Sequence, residues 1–162
     1  MTNQSDDNLA QLIREELSQH TVATLATVGE GGPHAASLMY AYDKELSLYW
    51  VSDPATRHST ELSNSASAAV TIAGQFDDFR AIRGLQMHGT AAPVDDPGQR
   101  KSALRLLGNR YAFLKLFQTG PSKLVERFAK IKVYRFRPET ITLIDNAKGF
   151  GHKDVLNLGG KA

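Results

Sequence analysis

Ser52, Asp53, Arg57 and His58 stand close enough together to build an anion site. An apolar run ends in Ser52, Asp53-Pro54 reads as a helix start, and the basic pair follows about one turn later. A helix N-terminus offers unpaired N–H groups and the positive end of its dipole, so this order makes a phosphate cradle. Arg57 adds a charge-assisted, bidentate contact. The same residues also admit a plainer arrangement. Arg57 and Glu61 stand at i, i+4 and can pair on the helix surface for about 0.3–0.5 kcal/mol. Asp53, as a cap, takes N–H groups that a phosphate would use. His58 can donate one hydrogen bond when neutral and adds charge only near or below pH ~6.5.

A second cluster lies in Asn146-Ala147-Lys148-Gly149-Phe150-Gly151-His152-Lys153. Glycines on both sides of Phe150 allow unusual backbone angles. Lys148, His152 and Lys153 offer basic groups for an anionic ligand, as a flap would. The alternative is a loop at a sheet edge with Phe150 set into the core. Gln86 brings an amide that both donates and accepts. His20, His34 and His88 show no metal-ligand spacing, and with no cysteine in the chain thiolate sites and disulfides are excluded. No catalytic residue is assigned from these patterns.

The elements that must position these groups read as strands with short helices. Residues 8–19 carry Leu9, Leu12, Ile13 and Leu17 at helical spacing. Strands are expected over 21–28, 35–42, 46–52, 68–73 and 81–94, with Gly84 and Gly89 marking bulges in the last. A helix over 54–62 follows the Asp53 cap. Asp95-Asp96-Pro97 starts another, continued by Leu106, Leu107, Tyr111, Leu114 and Phe117, with a break at Gly108-Asn109. A helix over 121–130 and a closing pair of strands, 131–137 and 140–145, complete the pattern. Residues 1–7 read as disordered, 8–153 as one domain and 154–162 as a tail. The fold class is mainly β with flanking α, a six- to seven-stranded antiparallel split or closed barrel, because an open sheet would leave edges to protect.

Composition excludes more than it identifies. The 162 residues have 41% hydrophobic content and a formal net charge of +2, ordinary for one globular domain. That charge does not point to nucleic acid. Arg100, Lys101, Arg105 and Arg110 read as a solvated helix face. No apolar run approaches the roughly 20 residues that span a bilayer, and the polar, acidic N-terminus is unlike a secretory signal, so a cytoplasmic protein is expected.

Thr24-Leu25-Ala26-Thr27, Gly32-Pro33-His34, Ser52, Arg57-His58 and Asn64, in this order, resemble the FMN-binding split barrels related to pyridoxamine 5'-phosphate oxidase. Thr56-Arg57-His58, Ile82-Arg83-Gly84-Leu85-Gln86 and the stretch from Asp145 to Lys153 resemble its YhbP-like subfamily. The resemblance implies a homodimer with noncovalent FMN at the interface. It places Ser52, Arg57 and His58 on the phosphate, Ser37 and Met39 around the ring and ribityl chain, and Gln86 beside the ring. Lys148, Phe150 and Lys153 would form the flap. It further implies an oxidoreductase acting on a small organic molecule and fed by NAD(P)H. A flavin or haem carrier or sensor is the alternative, with F420 as another cofactor and His58 or His152 as haem ligands. Departures from the family pattern are His58 where Lys is common, Ala41 and Tyr42 where the oxidase has a basic residue, and the missing terminal Arg-x-His motif. The first makes phosphate affinity weaker or more pH-dependent than the family pattern, and the other two argue against a pyridoxamine phosphate oxidase.

Overall fold

The computed structural model describes residues 4–115 and 120–159. Eight antiparallel strands form one sheet: β1 Val22–Gly29, β2 Gly32–Met39, β3 Ala41–Tyr42, β4 Leu48–Ser52, β5 Ser67–Ala73, β6 Arg83–Pro93, β7 Lys132–Asp145 and β8 Lys153–Asn157. Four helices accompany them: α1 Gln4–Gln19, α2 Arg57–Asn64, α3 Pro97–Arg110 and α4 Ser122–Ala129.

The pairing order is β2-β1-β5-β6-β7-β4-β3. Only Tyr40 separates β2 from β3, so the chain itself joins the two ends of this order. One edge of β7 pairs with β6 along its length. Its other edge is shared: residues 132–136 pair with β4, and 140–144 pair with β8. That division splits the barrel.

Alternation along the strands sends Leu25, Val70, Ile72, Leu85, Met87, Ile141 and Leu143 into the interior, with Trp50 and Phe136. Helix α1 closes the barrel with Ile13 and Leu17, both fully buried, a contribution of about 1.5–3 kcal/mol each. A second core lies outside the sheet, where Ala103, Leu107 and Tyr111 of α3 and its continuation cover Ala41, Tyr49 and Val133. No helix among the described residues is long and apolar enough to cross a membrane.

Several sequence expectations are corrected. Residues 4–7 belong to α1, and the stretch 154–157, expected as tail, is strand β8. The expected strands over 131–137 and 140–145 are one strand, β7. Helix α2 starts at Arg57, because the Asp53 carboxylate accepts the Ala55 N–H at 2.8 Å and makes a turn before the helix. Helix α3 runs through Gly108-Asn109 to Arg110. The register shifts at His88/Gly89, while pairing runs on unbroken through Gly84. A Cβ at Gly89 would lie 2.0 Å from the Arg137 carbonyl oxygen, so only glycine fits that approach. The expected Phe117 contact lies outside the described residues.

Two basic residues are held inside the fold. Arg83 Nε sits 3.0 Å from the buried Glu16 carboxylate, which His20 also meets at 2.9 Å. Arg110 lies 4.7 Å over the Tyr40 ring and donates to the Leu17 carbonyl at 2.9 Å and to the His20 carbonyl. It therefore caps the C-terminus of α1, where the dipole favours a cation, instead of extending a solvated face.

Candidate functional site

Ser52 ends β4 with its side chain turned to the interior, and α2 begins five residues later. Ser52 Oγ lies 2.8 Å from His58 Nε2 and 3.2 Å from Thr56 Oγ1. Thr56 Oγ1 is in turn 3.2 Å from His58 Nε2 and 2.8 Å from Ser59 Oγ. His58 is buried, and its ring stacks at 6.5 Å on His34 of β2. Burial, followed by the neighbouring His34, holds its pKa below the ordinary histidine value, so the imidazole stays neutral.

Arg57 takes the i, i+4 arrangement. Its Nε donates to Glu61 Oε1 at 2.8 Å, and its Nη2 donates to the Gly32 and Gly31 carbonyls at 3.1 and 3.3 Å. The other Glu61 oxygen accepts the Thr27 hydroxyl at 2.5 Å. That bond and then the guanidinium hold the Glu61 carboxyl below its ordinary range. Arg57 nevertheless keeps 47% of its side chain in solvent. Because Asp53 caps a separate turn, no side chain caps the first N–H groups of α2.

Ser37 and Met39 line a cavity of about 250 Å³ with Val51, Leu107, Tyr111 and Phe113. The pairing of Ala41 with Tyr49 brings the end of β2 to β4, which is why Met39 and Val51 share this wall. Among the described residues no charged side chain lines it. The Tyr111 hydroxyl is already committed to the carbonyls of Tyr40 and Thr21, at 2.6 and 3.0 Å. The sheet thus places two groups at the β4 end: the Ser52, Thr56 and His58 cluster inside, and the Ser37, Met39 and Val51 wall outside.

Gln86 is elsewhere. Cross-strand register aligns Ser37, Thr24, Thr71, Gln86 and Thr142 in one row over five strands. Three strand spacings, about 14 Å, separate Ser37 from Gln86. Gln86 is exposed on the outer face.

The tail residues form a further group beside the start of β6, whose Arg83 pairs with Asp145. Asn146 Nδ2 donates to the Phe79 carbonyl at 2.7 Å, and its Oδ1 accepts the Gly151 N–H at 3.0 Å. The turn needs positive φ at Gly149 and Gly151, 140° and 72°. Phe150 is 85% exposed and meets Phe79 edge-on at 5.8 Å, so it is not set into the core. Lys148 pairs with Asp154 at 2.9 Å, and His152 reaches the same oxygen at 3.1 Å. Lys153 is exposed at the start of β8.

Sequence patterns passed over Val51, Leu107 and Tyr111 because each reads as ordinary core. Thr56 carried a weak signal, a hydroxyl immediately before the basic pair.

The profile of the family described as Pyridoxamine 5'-phosphate oxidase matches residues 9–145. A UPF0306 protein YhbP from Salmonella paratyphi A is 32% identical over 148 residues, covering 91% of each chain. Among solved structures, the General Stress Protein 26 of Bacillus anthracis superposes with a TM-score of 0.66 at 18% identity, over 93% of this chain and 99% of that one. The haem storage protein HutZ of Vibrio cholerae superposes with a TM-score of 0.64 at 16% identity, over 80% of this chain and 89% of that one. These structural likenesses establish the split-barrel fold.

Proposed function

The chain belongs to the pyridoxamine 5'-phosphate oxidase-related family, on its YhbP-like branch, and from that premise we propose that it is an FMN-binding flavoprotein, an oxidoreductase acting on a small organic molecule. The observation that supports this most is the cavity of about 250 Å³ adjoining the Ser52 end of β4. The described part of its lining is apolar and uncharged, which suits an aromatic ring system held by a few polar contacts. The uncapped start of α2, with Ser52, Thr56 and His58, supplies donors for a phosphate, and Arg57 supplies the charge. To reach that phosphate Arg57 must loosen its contacts with Glu61 and the β1–β2 hairpin carbonyls, so binding carries a reorganisation cost.

When bound, the flavin supplies the hydride chemistry, and the protein supplies position and electrostatics. Ser37 and Met39 border the ring, and burial keeps water from one face. Gln86 joins such a site only from a second copy, since it stands across the sheet from Ser37. We therefore read the working form as a homodimer formed through the outer sheet face. Lys148, Phe150 and Lys153 stand at the other end of the chain's long strands and would act on the partner's ligand.

Haem is the weaker reading. His58 Nε2 is 2.8 Å from Ser52 Oγ, and His152 Nε2 lies on Asp154, so neither imidazole faces the cavity as an axial ligand does. F420 would draw its extra basic contacts from Lys153, since Lys148 is paired.

An FMN titration followed by quenching of Trp50, the only tryptophan and the residue beside Val51, tests the assignment. Arg57→Ala is expected to weaken FMN binding by about 1.5–3 kcal/mol, the scale of a charge-assisted hydrogen bond. An unchanged dissociation constant removes Arg57 from the phosphate, and absence of saturable binding to the unaltered protein removes FMN.

A further inference from the structure

Helix α3 has an unusual charge pattern. Its sequence, PGQRKSALRLLGNR, holds four cations and no carboxylate. Arg110 is used at the C-terminus of α1. The other three, Arg100, Lys101 and Arg105, are exposed and have no ion-pair partner among the described residues. Lys101 and Arg105 stand at i, i+4, where like charges repel. Arg100 and Lys101 also lie near the N-terminal end of the helix, where the dipole disfavours a cation. Asp96 already accepts the Gln99 N–H at 2.7 Å, so the helix end is capped and is not itself the anchor.

All three cations line one open cavity of about 440 Å³, together with Asp95, Pro97 and Leu104. Local electrostatics that oppose folding and converge on a cavity are expected where a ligand offsets them. The same helix continues into the uncharged cavity at Leu107 and Tyr111. Lys101 and Tyr111 are ten residues apart, about 15 Å along the axis. A ligand that places phosphates among the cations and an aromatic ring toward Tyr111 must be elongated, with its charge at a distance from its ring.

We propose that Arg100, Lys101 and Arg105 bind the phosphates of a nicotinamide dinucleotide, which lies along α3 with its nicotinamide directed toward the cavity of Ser37 and Met39. The choice of a dinucleotide rests on the flavin reading above. The phosphate contact itself does not. Asp95 is placed to accept a hydrogen bond from a ribose hydroxyl, and two arginines and a lysine suit a diphosphate.

The test is a fluorescence titration of the full chain, freed of flavin, with NADPH, and inorganic pyrophosphate as competitor. Saturable binding, displaced by pyrophosphate and weakened at least tenfold by Lys101→Glu with Arg105→Glu, is the expected result. That double variant should keep a cooperative melting transition, since both side chains are exposed, which shows that it folds. Its FMN affinity should match that of the unaltered protein. No saturable NADPH binding, or binding that survives the charge reversal, overturns the proposal. So does a joint loss of FMN affinity, since the phosphate site would then not be separate. Binding of NADPH by a protein that takes up no FMN leaves the phosphate site standing and removes the flavin reading.

Discussion

The outer surface of the sheet has two halves that the chain treats differently. Over β3, β4 and the first half of β7, α3 buries Leu107 and Tyr111 on Ala41, Tyr49 and Val133. Over β1, β5, β6 and the hairpin end of β2 the outer face of the described residues carries no buried apolar cluster, and Val22 and Val28 stand 47% and 64% exposed among alanines and threonines. The covered half has large side chains that fit a helix. The bare half has small ones that make a flat surface, with the row from Ser37 to Gln86 across it. Exposed apolar side chains gathered on one flat sheet face mark a surface that a partner covers. The difference teaches that the fold completes itself on one side only, and the homodimer reading rests on the other.

The comparison can be pressed from both sides. Leu107→Ala opens the covered half and is expected to cost about 2–5 kcal/mol in stability by denaturant unfolding. A much smaller cost would mean that α3 is a loose cover. Ala69→Glu puts a charge at the centre of the bare half. It should leave the monomer's folding near neutral, within about 0.5 kcal/mol, while sedimentation shows the dimer lost. A dimer that persists would move the interface elsewhere.

A smaller effect comes from pH. The depressed pKa of His58 means that the unfolded chain binds more protons than the folded one from the ordinary value of 6.5 downward. Stability contributed by neutral His58 is therefore full above that value and falls as pH drops toward the folded pKa. His58→Gln should flatten this slope in a series of melting curves. FMN affinity should move the other way and rise on acidification, because a phosphate favours the protonated ring. Phe150→Ala, in contact with little beyond Phe79, should change stability by less than about 0.5 kcal/mol in the same melts. A larger loss would show that it is covered in the dimer.

The sequence was most legible where one local rule acted alone. Asp96-Pro97 marked the start of α3, and Gly89 marked the bulge. It misled where a residue's meaning came from distant neighbours. Pro138 reads as a strand break because proline lacks an N–H for a ladder. In the fold it stands opposite Gly89 at the register shift, at the point where β4 has stopped pairing and β8 has not begun. β8 was missed because Lys153-Asp154-Val155-Leu156-Asn157 is short and polar, and its only buried side chain is Leu156. In the candidate site, the Arg57–Glu61 pair could be read from spacing. The Ser52–His58 contact and the wall that Met39 shares with Val51 needed the barrel to close.

Because β7 carries β6 on one edge and both β4 and β8 on the other, it is the seam through which every rearrangement of the barrel must pass. Its pairing of Lys132 with Ser52 closes a long loop, a kind of contact that forms slowly. The β1–β2 hairpin can form early and locally, whereas the barrel becomes a barrel only when β7 is seated. Amide protons of β7 then exchange only on opening of the whole domain, and those of β8 and the turn before it exchange through smaller, more frequent openings.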